Sequence, residues 1–345
     1  MNSKKSYLCK NQSVIIKGIL TLLIVLGHDM VLTIPTDVIG LMSYLYLFHI
    51  QCFFILPFLY GVNSDKSLSE RSFILVKRFY WPYFILVLLL GTGYGILSRT
   101  SSFSIIGIGK ALLFGGTHIK SACGVSILWF LPSMMCTMWL REIYYRAGHV
   151  VKAILLTTSI LYNVAIVINA MDGSTQELVN LFKWLPFGSY YAIGILYMGV
   201  ITRWLYIKVN DANRIMVFLS CCLILMAITI GYFGCVVPDT INQAAHPLFI
   251  IMSRFSPIVF LVIISIGCGY IRNDYVNGLL KRIGNKSLYI YLISPFVGYL
   301  IAFICIRLNM VTWYVGLIVW PIIVLISYYL SGFIRGKFEL CIFPR

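Results

Sequence analysis

Residues 16–28 read Ile-Lys-Gly-Ile-Leu-Thr-Leu-Leu-Ile-Val-Leu-Gly-His, and this stretch decides the fold. It is mostly apolar, with a lysine near its start and a histidine at its end, Lys17 and His28. Eleven residues of α-helix make about three turns and rise about 16 Å, so both side chains lie on one helix face near opposite ends of a bilayer span. Ionisable residues inside a span are costly and usually face a polar interior, which marks this pair as a functional-site hypothesis.

The whole chain has the composition of a membrane protein. Of its 345 residues, 60% are hydrophobic and only 11% are charged, whereas a soluble protein carries about a quarter charged residues. Apolar stretches of about 18 or more residues recur along it, each long enough to cross a hydrocarbon layer about 30 Å thick. The sequence therefore predicts an all-α polytopic membrane protein, with one membrane domain over residues 1–345 and no appended soluble domain.

Hydropathy and charge together predict the topology. Ten spans are expected, at residues 12–32, 40–62, 73–97, 124–146, 150–170, 184–206, 214–236, 254–272, 286–306 and 311–334. If both termini are cytoplasmic, 21 of the 27 basic residues fall on the inner side, as the positive-inside rule requires. The outer basic residues are then Arg99, Lys110, Lys120, Lys183, Arg254 and Arg307. Residues 98–123 are expected to form an outer interfacial or re-entrant segment.

Charge and cysteine content exclude two other classes of protein. The net charge is +16, but the basic residues are scattered among short membrane loops, where orientation and attraction to anionic lipid explain them. Nucleic-acid binding is therefore not expected. The ten cysteines show no paired spacing typical of a zinc site or a disulfide framework, so no metal is expected.

Five short motifs lie on the predicted spans in a fixed order. They are Lys17-X10-His28, Phe48-His49-Ile50-Gln51-Cys52-Phe53-Phe54, Lys77-Arg78-Phe79-Tyr80-Trp81-Pro82, Leu128-Trp129-Phe130-Leu131-Pro132 and Gly284-Asn285-Lys286-Ser287-Leu288-Tyr289-Ile290-Tyr291-Leu292-Ile293-Ser294-Pro295. In this arrangement the chain resembles the acyltransferase-3 family of integral-membrane acyltransferases along most of its length. Three positions depart from the family pattern: Lys17 and Trp81 replace arginines, and Ser294 replaces a histidine.

The resemblance implies an enzyme of the plasma membrane. It would move an acyl group, acetyl above all, from cytoplasmic acetyl-CoA to a hydroxyl of a cell-surface glycan or its lipid-linked precursor. His28 would be the general base, because a neutral imidazole can take a proton from a hydroxyl near neutral pH. Lys17 and Arg78, with Lys77 beside them, would bind the donor phosphates at the inner mouth.

Each of these residues also has a plain structural interpretation. His28 is alternatively a buried histidine bonded to a neighbouring helix. His49, near the middle of the second span, either supports His28 and orients the substrate or makes a structural polar contact. Lys77 and Arg78, at the inner start of the third span, either bind the donor or serve as positive-inside anchors.

A second class of function fits the same spans. A transporter or flippase for a glycan-lipid or a small molecule also has many spans and a few charges inside the membrane. The sequence shows no internal repeat, which weighs against transporter folds built from duplicated halves. A structural scaffold would not account for the ionisable residues Lys17 and His28 inside a span. Formation of a covalent product distinguishes the enzyme from the transporter.

Overall fold

The computed structural model describes residues 8–33, 39–61, 66–98, 105–208, 213–239 and 246–337. Within these ranges the chain is helical and contains no β-strand. The α-helices, in chain order, are α1 Lys10–Gly27, α2 Met30–Thr33, α3 Ile39–Tyr46, α4 His49–Ile55, α5 Leu68–Leu75, α6 Trp81–Ser98, α7 Ile105–Phe114, α8 Thr117–Cys123, α9 Phe130–Arg146, α10 His149–Asp172, α11 Gln176–Lys183, α12 Ser189–Lys208, α13 Arg214–Gly231, α14 Val237–Asp239, α15 Pro247–Gly267, α16 Asp274–Asn285, α17 Ser287–Arg307 and α18 Trp313–Lys337. Three 3₁₀ turns cover Leu56–Leu59, Ile127–Trp129 and Pro186–Gly188, and two π-helical turns cover Val76–Tyr80 and Tyr232–Val236.

Eight helical segments in the described ranges are long and apolar enough to cross a membrane, which confirms the prediction of an all-α polytopic membrane protein. They are Lys10–Gly27, Gly40–Leu59, Leu68–Tyr94, His149–Asp172, Arg214–Val236, Pro247–Gly267, Ser287–Arg307 and Trp313–Phe333. Each overlaps one of the ten predicted spans. The count of ten and the cytoplasmic termini stay predictions.

The other two predicted spans take different forms. The span predicted at 184–206 belongs to a pair of helices, Gln176–Lys183 and Pro186–Lys208, that bend by 99° at their junction. At this bend Phe187 has a positive φ of 57°, a conformation that L-residues rarely adopt. The span predicted at 124–146 corresponds to a 3₁₀ turn followed by α9, which has 17 residues.

The first span is shorter at its carboxyl end than the predicted range of 12–32. Helix α1 ends at Gly27, and Asp29 begins a new short helix, α2. The cause is local. The Oδ1 atom of Asp29 accepts hydrogen bonds from the backbone N–H groups of Val31 at 2.9 Å and Leu32 at 3.4 Å, the bonding typical of a helix N-cap. The helix is therefore interrupted at His28 and Asp29, between α1 and α2.

The helices form two compact units. The first contains the chain up to Gly61 together with Met198–Ile334, and the second contains Val62–Tyr197 with the carboxyl-terminal tail. In the first unit, a core of aliphatic side chains joins α1, α16, α17 and α18, with Val25, Ile290 and Ile323 at most 1% exposed. Many leucines and isoleucines on the outer helix faces are exposed, as in Leu223 and Ile318. Such faces suit a lipid environment.

Glycines allow a close contact between α1 and α16 in the first unit. A Cβ atom on Gly18 would overlap the carbonyl oxygen of Leu280, and one on Gly284 would overlap that of Val14. Small residues allow helix backbones in membranes to approach this closely. Gly284, the glycine of the last sequence motif, therefore has a packing role: it brings α16 against the amino-terminal half of α1.

The second unit is built around the continuous segment α5, π-turn and α6. Ser67 and Glu70 form a reciprocal capping box at the start of α5, which fixes where this segment begins. Helix α9 packs against α5, where Trp139 Nε1 donates a hydrogen bond to Ser72 Oγ at 2.9 Å. Helices α7 and α8 fold back against α6, and the Tyr83 hydroxyl donates to the carbonyl of Ala111. The predicted interfacial or re-entrant segment is thus helical from residue 105.

We expect Gly284→Ala to destabilise the protein, because its new methyl group meets backbone atoms that cannot move away as a side chain can. Overpacking of this kind costs about 1–3 kcal/mol. The melting temperature in detergent, followed by tryptophan fluorescence, measures the effect. Gly278→Ala is the matched control on α16, where a Cβ has nothing within 4 Å and alanine favours the helix. A Gly284→Ala protein that melts at or above the wild-type temperature would contradict this packing.

Candidate functional site

His28 lies at the carboxyl end of α1, where it caps the helix. Its backbone N–H still bonds to the carbonyl of Ile24 at 3.1 Å, so the residue continues the helical path although α1 ends at Gly27. The His28 side chain is half-buried. It is therefore within reach of a ligand, while its backbone is fixed by the first span.

His49 is positioned by a break between α3 and α4. A continuous helix would pair the His49 N–H with the carbonyl of Leu45, whereas here this carbonyl accepts from Phe48 N at 3.2 Å and from Nδ1 of the His49 ring. The His49 side chain is 0% exposed. Its Nε2 atom has no hydrogen-bond partner among the described residues. The ring lies against the backbone of α1, since a Cβ on Gly27 would sit 3.1 Å from Nε2.

Tyr46 completes a group of three rings in the first unit. Its hydroxyl lies 2.8 Å from Nδ1 of His28 and donates to the carbonyl of Gly27 at 3.3 Å. The ring centroids of His28 and His49 are 6.3 Å apart in an edge-on arrangement, and those of Tyr46 and His49 are 4.8 Å apart. The structure thus brings the two predicted histidines together and adds a tyrosine that sequence analysis missed. In the sequence, only the position of Tyr46 three residues before His49 pointed to it.

Helix α17 passes close to the same end of α1. A Cβ on Gly298 would lie 3.9 Å from the carbonyl oxygen of His28. Ser294, one turn earlier on the same helix face, is buried and bonds to the carbonyl of Tyr291 at 3.5 Å. Ser294 is the position where the acyltransferase-3 pattern has its late histidine. That position therefore shares the α17 face on which Gly298 approaches the end of α1.

Asp29, the residue after His28, is buried at 1% exposure. One carboxylate oxygen caps α2, and the other, Oδ2, has no hydrogen-bond partner among the described side chains and backbone. The carboxylate next to His28 thus serves the local backbone. Its proximity in sequence does not make it an ion-pair partner of the ring.

Lys17 lies half-buried on α1, at the end nearer α16. Its Nζ atom sits over the ring of Tyr60, 5.8 Å from the centroid, within the range of a cation–π contact. Arg203 reaches the same residue, donating to the carbonyls of Phe58 at 3.3 Å and Tyr60 at 3.2 Å. Two cations therefore approach Tyr60, and Arg203 is a second residue that the sequence did not single out.

Lys77 and Arg78 belong to the second unit, in the π-turn Val76–Tyr80. Lys77 is half-buried, and Arg78 is exposed with its guanidinium over the ring of Phe79 at 5.3 Å. Turns of this kind are rare and often occur at functional sites. The structure therefore places the two predicted donor residues on an irregular turn in the unit that does not contain His28.

A buried ion-pair group lies on α9 in the second unit. Arg141 and Glu142, each 4% exposed, pair at 2.7 Å, and Arg146 reaches the other oxygen of Glu142 at 3.3 Å. Removal of one member of a buried pair is strongly destabilising. These residues therefore have a structural role at the end of α9.

Within the described residues, no three histidine, cysteine, aspartate or glutamate side chains lie together as a metal site requires. No family model, no curated protein and no solved structure matches this chain. The likeness to the acyltransferase-3 family rests on the motifs quoted above, and membership of that family stays a prediction.

Proposed function

We propose that the chain is a membrane O-acyltransferase that moves an acetyl group from acetyl-CoA to a hydroxyl of a cell-surface glycan or its lipid-linked precursor. The observation that supports this best is the group of rings at the end of the first span. His28, Tyr46 and His49 converge there, and only His28 and Tyr46 are accessible. The order of the five sequence motifs gives the reaction class.

In the proposed reaction, His28 takes the proton from the acceptor hydroxyl as its oxygen attacks the thioester carbonyl. The carbon–sulfur bond then breaks, the acetyl group remains on the acceptor oxygen, and the departing CoA thiolate takes the proton from the imidazolium. His28 suits this role because it caps the carboxyl end of α1, where the helix dipole favours a positive charge. His49 supports the His28 ring from its buried side.

The donor would be bound by cations at the inner mouth. Lys17 lies eleven residues before His28, about 16 Å along the helix, a separation that suits the extended pantetheine arm of a coenzyme A thioester. Arg203 adds a second positive charge near Tyr60. Lys77 and Arg78 are included on the strength of the sequence motif that contains them. We propose that these side chains contact the donor phosphates.

The same proposal includes the arrangement in the membrane. The chain crosses the plasma membrane ten times with both termini in the cytoplasm, so that Lys17, Lys77 and Arg78 face the compartment in which acetyl-CoA is made. The uneven distribution of basic residues between the two sides supports this orientation.

His28→Ala should abolish acyl transfer while the protein still accumulates in the membrane. Loss of a general base typically costs about 10²- to 10⁴-fold in rate. The measurement is O-acetylation of surface glycans by mass spectrometry, normalised to the amount of protein in the membrane. His149→Ala is the control, because His149 is exposed at the start of α10. Activity of the His28→Ala protein within a few-fold of the wild type would assign His28 a structural role.

Lys17→Gln should mainly raise the KM for acetyl-CoA, and Lys17→Arg should retain activity. The phosphates are remote from the reacting carbonyl, so contacts to them stabilise ground state and transition state about equally. Arg78→Gln should behave in the same way if both residues bind one donor. Lys10→Gln is the control, since Lys10 is exposed at the start of α1. An unchanged KM in both the Lys17→Gln and the Arg78→Gln proteins would show that the donor binds elsewhere.

A further inference from the structure

We propose that Tyr46 is a positioning residue, which fixes the tautomer of His28 so that Nδ1 carries the proton and Nε2 is the basic atom. This inference rests on the proposed role of His28 as general base. It adds a residue outside all five sequence motifs. It also names the nitrogen that would accept the proton of the acceptor hydroxyl.

The assignment follows from counting donors and acceptors around the Tyr46 hydroxyl. This hydroxyl has one proton and lies 2.8 Å from His28 Nδ1 and 3.3 Å from the carbonyl oxygen of Gly27. A carbonyl oxygen only accepts, so the hydroxyl proton must point to Gly27 for that contact to be a hydrogen bond. The hydroxyl oxygen then accepts from His28 Nδ1, which must carry a proton. In the opposite tautomer the hydroxyl proton would turn to Nδ1, and the Gly27 carbonyl would lose its bond from Tyr46, so only the tautomer with a proton on Nδ1 makes both contacts hydrogen bonds.

The carbonyl of Gly27 is available for this bond because α1 ends there. The last carbonyls of a helix have no partner within the helix, and Asp29 starts a new helix instead of prolonging α1. Tyr46 donates to this carbonyl from α3. The end of α1 therefore determines the direction of the tyrosine proton, and the tyrosine in turn determines the protonation of the His28 ring.

His49 has the same tautomer for a similar reason. Its Nδ1 bonds to the carbonyl of Leu45, so Nδ1 carries the proton and Nε2 keeps its lone pair. That Nε2 atom is buried against Gly27, whereas the His28 ring is half-buried. Of the two Nε2 atoms, only that of His28 belongs to a ring that the hydroxyl substrate can reach.

Nuclear magnetic resonance of ¹⁵N-histidine-labelled protein in lipid tests the tautomer directly, without reference to activity. The His28 signals are assigned by their loss in His28→Asn. We expect neutral His28 to carry its proton on Nδ1 in the wild type and to populate both tautomers in Tyr46→Phe. Tyr44→Phe is the matched control on α3, because its hydroxyl bonds instead to Thr229 at 2.6 Å. A wild-type proton on Nε2, or no change in Tyr46→Phe, would overturn the assignment.

Kinetics test whether this tautomer matters for the reaction. Tyr46→Phe keeps the ring and should lower kcat about tenfold, while the KM for acetyl-CoA stays within about twofold, since the base and not donor binding is affected. Tyr44→Phe should leave both constants unchanged. A wild-type kcat in Tyr46→Phe would overturn the positioning role. The expected spectrum in a protein without acyl transfer would instead overturn the proposed function and leave the tautomer assignment standing.

Discussion

A bilayer offers no water to backbone polar groups, so each carbonyl freed by a helix break needs a donor from the protein. In the first unit this constraint acts at two neighbouring places. The end of α1 frees the carbonyl of Gly27, which accepts from Tyr46. The break between α3 and α4 makes the carbonyl of Leu45 available to the ring of His49. The carbonyls at the two helix breaks therefore accept hydrogen bonds from Tyr46 and His49, the side chains that lie beside His28.

The other half of α1 is fixed by a different kind of contact. Gly18 and Gly284 bring the backbones of α1 and α16 together, and the aliphatic core of α1, α17 and α18 continues from there toward His28. The backbone of α1 is consequently held near both of its ends. A general base needs such a fixed backbone, because proton transfer depends on the distance between the base and the hydroxyl.

Much of this fold could be predicted from the sequence, because long apolar runs determine which segments can span a bilayer. One of the two sequence interpretations of His49, that it supports His28, requires the two rings to be close, and the structure shows them close together. The helix end at Gly27 was not predicted, because apolar residues resume at Met30 after His28 and Asp29 and the break depends on hydrogen bonds to Asp29. Tyr46 could not be selected among 23 tyrosines, since its role arises from a carbonyl that only the break makes available. The bend at Phe187 was also missed, because a positive φ at a phenylalanine leaves no mark in the hydropathy pattern.

The proposed O-acyltransferase forms a covalent product, which a transporter or flippase does not. The most direct test uses the purified protein in lipid vesicles with labelled acetyl-CoA and a lipid-linked oligosaccharide extract from membranes as the acceptor. We expect label to pass from acetyl-CoA to the extract in an alkali-labile ester, and we expect the His28→Ala protein not to transfer it. Movement of the extract or of acetyl-CoA across the vesicle membrane without any labelled ester would contradict the proposed acyl transfer.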